Sequence, residues 1–183
     1  WREYLAGIRQ PEQLLSWTFR YWNDVGGHSA GPVLHEQRGC FGFTRESAEL
    51  VRIHFVPSPD IAGSPLAPEA LAERMTELRL LFSALPESTV VQGRSWLYNL
   101  PRYRSLFPKA YLETAAPVQA AWTRLPLWGQ LLHADGNVRE PEAAHFLQQL
   151  GRARAIEDLT SCFRHPVLAL EGRAHCFQQT RIE

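Results

Sequence analysis

The chain has 183 residues, no formal net charge at pH 7, and is 45% hydrophobic and 21% charged. These are the proportions of a globular domain that buries a sizeable core without disulfide or metal staples. They exclude a general electrostatic attraction for nucleic acid or an anionic membrane. No run approaches the ~18 apolar residues of a membrane-crossing helix.

Lys109 is the only lysine, so almost all positive charge is arginine, whose planar fork suits carboxylates and phosphates. Cys40, Cys162 and Cys176 are an odd number without a C-x-x-C pair, which predicts reduced thiols in a cytoplasm. A single domain is expected, in three stretches: a helical segment 1–32, a core 33–132, and a helical segment with a closing hairpin at 133–183.

Residues 1–9 carry Trp1, Leu5 and Ile8 at helical spacing, and Pro11 suits the first turn of a second helix that ends at Gly26-Gly27. Leu14, Leu15, Thr18 and Trp22 share a face, with Trp17 and Tyr21 beside it. So many aromatic residues on a short helix suit either a core or a protein-binding surface. Val33–Phe43 reads as a strand with a bulge at Gly39, Thr44–Ala48 as a turn, and Glu49–Pro57 as the returning strand. In that second strand Val51, Ile53 and Phe55 face the core, while Leu50, Arg52, His54 and Val56 face the other way. His54 is either a half-exposed structural histidine or a base.

Pro57-Ser58-Pro59 ends the strand, and Pro68 with Glu69 begins a helix running to Leu85. Its predicted buried stripe is Leu71, Met75, Leu78, Phe82 and Leu85, with Glu73, Arg74 and Glu77 on the wet side. Gly63 and Ser64, just before it, offer backbone N–H groups to an anion. A strand over 88–92 follows, and strand–helix–strand with so short a connection predicts parallel pairing. Arg94, Ser95, Asn99, Arg102, Tyr103 and Arg104 then collect polar chemistry at the strand's end, where open sheets bind ligands. Trp96, Tyr98, Tyr103 and Phe107 equally suit a plug for the sheet. Val118–Thr123 and Leu127–Leu132 read as further strands. A helix opened by Pro141 should bury Ala143, Phe146, Leu147 and Leu150. Ala155–Phe163 reads as a short helix, and Val167–Leu170 with Arg173–Phe177 as a hairpin across Glu171-Gly172.

No G-x-S-x-G marks a nucleophile, and Ser95 lacks the second glycine. Cys162, His165, His175 and Cys176 are the one grouping with metal-ligand chemistry. Adjacent His175 and Cys176 would leave a strand on opposite faces, so no metal is expected.

Taken together, Val56-Pro57, the SPLAPEAL that follows, and SWLYN at the end of the next strand resemble the core of the GNAT-type (GCN5-related) acyltransferases over residues 33–132. The resemblance implies an α+β fold with a central mixed, largely antiparallel sheet flanked by helices. It also implies an acyl-CoA co-substrate and N-acyl transfer to an unknown acceptor. In place of the family's Q/R-x-x-G-x-G/A pyrophosphate signature the chain offers Gly63 and Ser64, with Arg94, Ser95 and Asn99 as further cofactor contacts. His54 would be the base, and Tyr98 or Tyr103 would protonate the leaving thiolate. The rival expectation is a non-catalytic module that binds a protein partner or a small ligand.

Overall fold

A computed structural model describes residues 33–56, 63–118, 125–132 and 137–178. The chain divides between Val33 and Leu34, and everything below concerns the unit Leu34–Glu183. It is an α+β fold built on a six-stranded mixed sheet: β1 (Glu36–Arg38), β2 (Phe41–Arg45), β3 (Leu50–Phe55), β4 (Val90–Ser95), β5 (Ala116–Pro117) and β6 (Leu168–Arg173). The spatial order is β1-β2-β3-β4-β6-β5, and only β3 and β4 run parallel.

The hairpin differs from the sequence expectation. Gly39 is not a bulge within one strand; it adopts φ +51°, a left-handed turn that glycine enters at no steric cost, and it separates β1 from β2. Thr44, expected in the turn, belongs to β2. The alternation read in β3 holds: Val51 and Ile53 are buried, while Leu50, Arg52 and His54 are only partly so. Across the ladder Ile53 pairs with buried Phe43, and Val51 with exposed Arg45.

A 3-10 turn, Pro68–Ala70, leads into α1 (Leu71–Ser83), which carries the chain across to the parallel strand β4. Pro68 opens that turn at no cost, because its N–H would have no partner within the turn. Past the other end of α1, Gln178 donates to the Phe82 carbonyl, which also accepts from Leu85 N–H, and to the Leu85 carbonyl. Of the expected stripe Leu78, Phe82 and Leu85 are buried and Leu71 and Met75 partly so; Leu81 is buried as well, and so is Arg74, at 2% exposure. Arg74 donates to Cys40 Sγ at 2.5 Å and pairs with Glu73 and Glu77. Glu77 in turn accepts from the Cys40 amide at 3.0 Å. Arginine is buried here because its charge is matched, not because its position is wet.

After β4 the chain makes a 3-10 turn, Trp96–Asn99, and two single-turn helices, α2 (Pro101–Arg104) and α3 (Lys109–Leu112). Their rings close the core on one face of the sheet. Tyr103 meets Phe55 at 5.4 Å between centroids, Tyr98 meets Phe107 at 5.1 Å, and Phe177 meets Phe82 at 4.6 Å. Each such ring contributes roughly 1.5–3 kcal/mol by leaving water.

Downstream, α4 (Glu140–Leu150) buries Phe146 against Leu127, Cys162, Phe163 and Val167 in a second, smaller core. Leu147 is 63% exposed and Leu150 38%, so the expected apolar face is narrower than its spacing suggested. Leu125–Gln130 is a 3-10 turn rather than a strand, whereas the short helix expected over 155–163 is present as the 3-10 helix Ile156–Cys162. The expected closing hairpin is also replaced. Glu171 and Gly172 lie inside β6, and the chain then turns into α5 (Ala174–Gln178). Gly172 is needed for close approach, because a Cβ there would stand 2.9 Å from Tyr111 Cδ2. The expected strand over 118–123 lies outside the described residues apart from Val118.

Gly93 shows how tightly the rings sit on the sheet. A Cβ on it would lie 2.0 Å from the Tyr98 hydroxyl and 2.3 Å from that of Tyr111. Gly93→Ala is therefore expected to lower stability by about 1–3 kcal/mol, the usual range for overpacking, read from the urea midpoint. A change under about 0.5 kcal/mol, the ordinary surface range, would mean that the tyrosines move aside freely.

Candidate functional site

The parallel ladder between β3 and β4 runs from Leu50↔Val90 to Ile53↔Gly93 and stops there, although β3 continues to Phe55 and β4 to Ser95. Each strand keeps its outer neighbour over these last residues: Phe55 pairs with Phe41, and Ser95 with Leu168. The ladder thus ends short of residues 54–55 and 94–95, a gap in the pairing of β3 with β4. The expected site residues distribute themselves around this gap.

On the core side lie the tyrosines. Tyr98 and Tyr103 are 1% and 2% exposed, and the Tyr98 hydroxyl lies 3.2 Å from that of Tyr111. Burial, with like-charge coupling between the rings, holds the Tyr98 phenol well above its ordinary range; burial does the same to Tyr103 and Tyr111. These phenols keep their protons throughout the accessible pH range and satisfy one another.

On the opposite, polar face stands His54. Alternation along β3 sets its side chain away from Phe55, which meets the Tyr103 ring edge-on. Its Nε2 lies 3.0 Å from Thr44 Oγ1, which donates to Glu46 Oε1 at 3.3 Å. Glu46 also meets Arg52 at 3.6 Å. Burial first, and then the Arg52 charge, lower the His54 pKa below 6.5, against an upward pull from Glu46. The imidazole is accordingly neutral at pH 7 and able to accept a proton. His54 and the two expected tyrosines are therefore not brought together; the sheet separates them.

Of the expected cofactor contacts, Gly63 adopts φ +82° with open space beside it, and Ser64 is exposed, its Oγ accepting from Leu66 N–H at 3.4 Å. Arg94 is exposed at the rim of the gap. Ser95 Oγ accepts from Leu97 N–H at 3.1 Å and so caps the following turn. Asn99 donates to the Trp96 and Pro166 carbonyls at 2.7 and 2.8 Å, tying the end of β4 to the chain that enters β6. Ser95 and Asn99 thus shape the gap, while Arg94 is the group with charge to offer a ligand.

Sequence reading missed Thr44 and Glu46. Their place beside His54 depends on the Gly42↔His54 register, which an apolar pattern does not specify. Tyr111 was equally hidden. Cys176 Sγ lies 3.6 Å from His175 Nε2, both in α5 rather than a strand. Among the described residues no three His, Cys, Asp or Glu side chains are grouped to hold a metal ion. No helix of the described residues is long and apolar enough to cross a membrane. The aromatic patch expected from Trp17, Tyr21 and Trp22 lies outside the described residues. No protein family matches the chain, and neither a curated protein nor a solved structure is similar to it.

Proposed function

We propose that this chain is a GNAT-like acyltransferase that binds an acyl-CoA in the gap between β3 and β4 and passes the acyl group to an amine on the polar face of the sheet. The observation that carries this reading is the parallel pair that ends at Ile53↔Gly93 while both strands run on. Backbone groups past the end of that ladder suit an extended ligand that bears amides, as the pantetheine arm of CoA does. The hairpin–helix–parallel-strand order and Arg94 at the rim fit the same ligand, the arginine serving its phosphates.

In the proposed reaction the acceptor nitrogen forms a bond to the thioester carbonyl carbon, and the C–S bond breaks. His54 takes the proton lost by the amine. With Tyr98 and Tyr103 on the core side, the departing thiolate receives its proton from water.

A ligand held at a hundred times its dissociation constant adds about 2.7 kcal/mol to the folded state. Thermal unfolding with free CoA, acetyl-CoA and longer acyl-CoAs should therefore show a rise of several degrees for at least one of them. No shift at millimolar ligand, together with no heat in isothermal titration, would overturn the reading.

A further inference from the structure

The contacts around His54 say which of its nitrogens can work. Thr44 has one hydroxyl proton and two acceptor sites. Glu46, paired with Arg52, presents a carboxylate that accepts, and Thr44 Oγ1 donates to it at 3.3 Å. When its only proton goes to Glu46, Thr44 meets His54 Nε2 at 3.0 Å as an acceptor. That contact requires a proton on Nε2. In the neutral ring the second nitrogen, Nδ1, is then the lone-pair acceptor, and it has no hydrogen-bond partner among the described residues.

We propose that Thr44 and Glu46 are positioning residues that lock His54 in the Nε2–H tautomer and leave Nδ1 as the atom that receives the acceptor's proton. The tautomer stands on geometry alone; the proton transfer rests on the acyltransferase reading above. The arrangement also serves the charged state. When Nδ1 gains a proton, the new cation is relayed through Nε2–H and the Thr44 hydroxyl to the Glu46 carboxylate. Arg52, on His54's own strand, opposes that cation, so among the described residues Glu46 is the charge near the ring that favours it. Thr44 and Arg52 occupy directly paired positions on β2 and β3, so both groups are held by the same ladder.

The test uses the full chain labelled with 15N-histidine, at a pH where His54 is neutral. Two-bond proton–nitrogen correlations identify the protonated nitrogen, and His54→Gln assigns the resonance among the seven histidines. Wild type should show Nε2 protonated. Thr44→Val, nearly the same shape without the hydroxyl, should give a mixture of tautomers, and Thr44→Ser should restore the single form. In turnover with acetyl-CoA and a small primary amine, Thr44→Val should lower kcat, leave KM for acetyl-CoA unchanged, and be rescued by Thr44→Ser. A wild-type ring protonated on Nδ1 would overturn the proposal even if Thr44→Val did not fold. A Thr44→Val ring still held as Nε2–H would do the same. Absence of acyl-CoA binding would remove the proton-transfer role and the function together, while the tautomer result would stand or fall separately.

Discussion

Arg74→Met is expected to lower the unfolding free energy by about 3–5 kcal/mol, the cost of removing one partner from a buried ion pair. The guanidinium is 3% exposed and holds three groups at once: Cys40 Sγ, the Glu77 carboxylate at 2.9 Å and the Glu73 carboxylate at 2.6 Å. Methionine fills much of the same volume, so packing loss is small and the penalty comes from Glu77, which is left 12% exposed without its cation. Burial already pushes the Glu77 carboxyl up, against the downward pull of the Cys40 amide and Arg74. Glu77→Gln keeps an acceptor for the Cys40 N–H and gives up only the charge, so it should cost nearer to 1 kcal/mol. The cluster fastens the β1–β2 turn to α1, because Glu77 lies where any side chain on Gly39 would have to go, its Oε1 1.7 Å from the position of a Cβ. Urea unfolding of Arg74→Met, Glu77→Gln and the double variant tests this. Equal losses for the two single variants would show that the charge match is not what holds the turn.

This cluster also shows where the sequence stops informing. The α1 pattern is legible because Leu78, Leu81 and Phe82 recur at helical spacing, and β3 is legible because its alternation is strict. Arg74 falls on the same stripe as Leu78, yet an arginine is read as wet, and spacing does not show that Glu73 and Glu77 match its charge while it donates to Cys40, 34 positions away in a turn. Gly172 fails for a related reason. A glycine after a glutamate reads as a hairpin turn, whereas this one clears space for Tyr111, a contact set by tertiary packing. The run Leu127–Leu132 is too short for its period to separate strand from helical turn, and it forms the latter at its start. For the site, the pattern placed His54 on the non-core face of β3, but it could not assign a face to Tyr98 or Tyr103. Those rings belong to turns after β4, whose direction depends on Ser95 capping and on Asn99 reaching Pro166.

His54→Gln is expected to slow acyl transfer by roughly 10²–10⁴-fold while leaving the acyl-CoA-induced thermal shift in place, because a base acts on the proton and not on the cofactor's backbone edges. The pH dependence gives a sharper test than the rate. His54 must be neutral to act, and its pKa lies below 6.5. Wild-type kcat/KM should therefore rise with pH through that value and level off near neutrality, and the rise should vanish in His54→Gln. Stability carries the same signature with a definite sign. A histidine whose folded-state pKa is lowered contributes stability that is present above its unfolded value. That stability is lost as pH falls through the folded value. Wild type should thus lose more stability than His54→Gln between pH 7 and pH 5, a comparison that needs no substrate. Release of CoA thiol from acetyl-CoA with a panel of small primary amines reads the rate. Turnover unchanged in His54→Gln would remove the histidine from the chemistry, and an unaltered acid-side stability curve would show that its neutral form is not favoured by the fold. If the stability difference appears without any transfer in wild type, the polar face of the sheet holds a neutral imidazole for packing alone, and the base assignment falls.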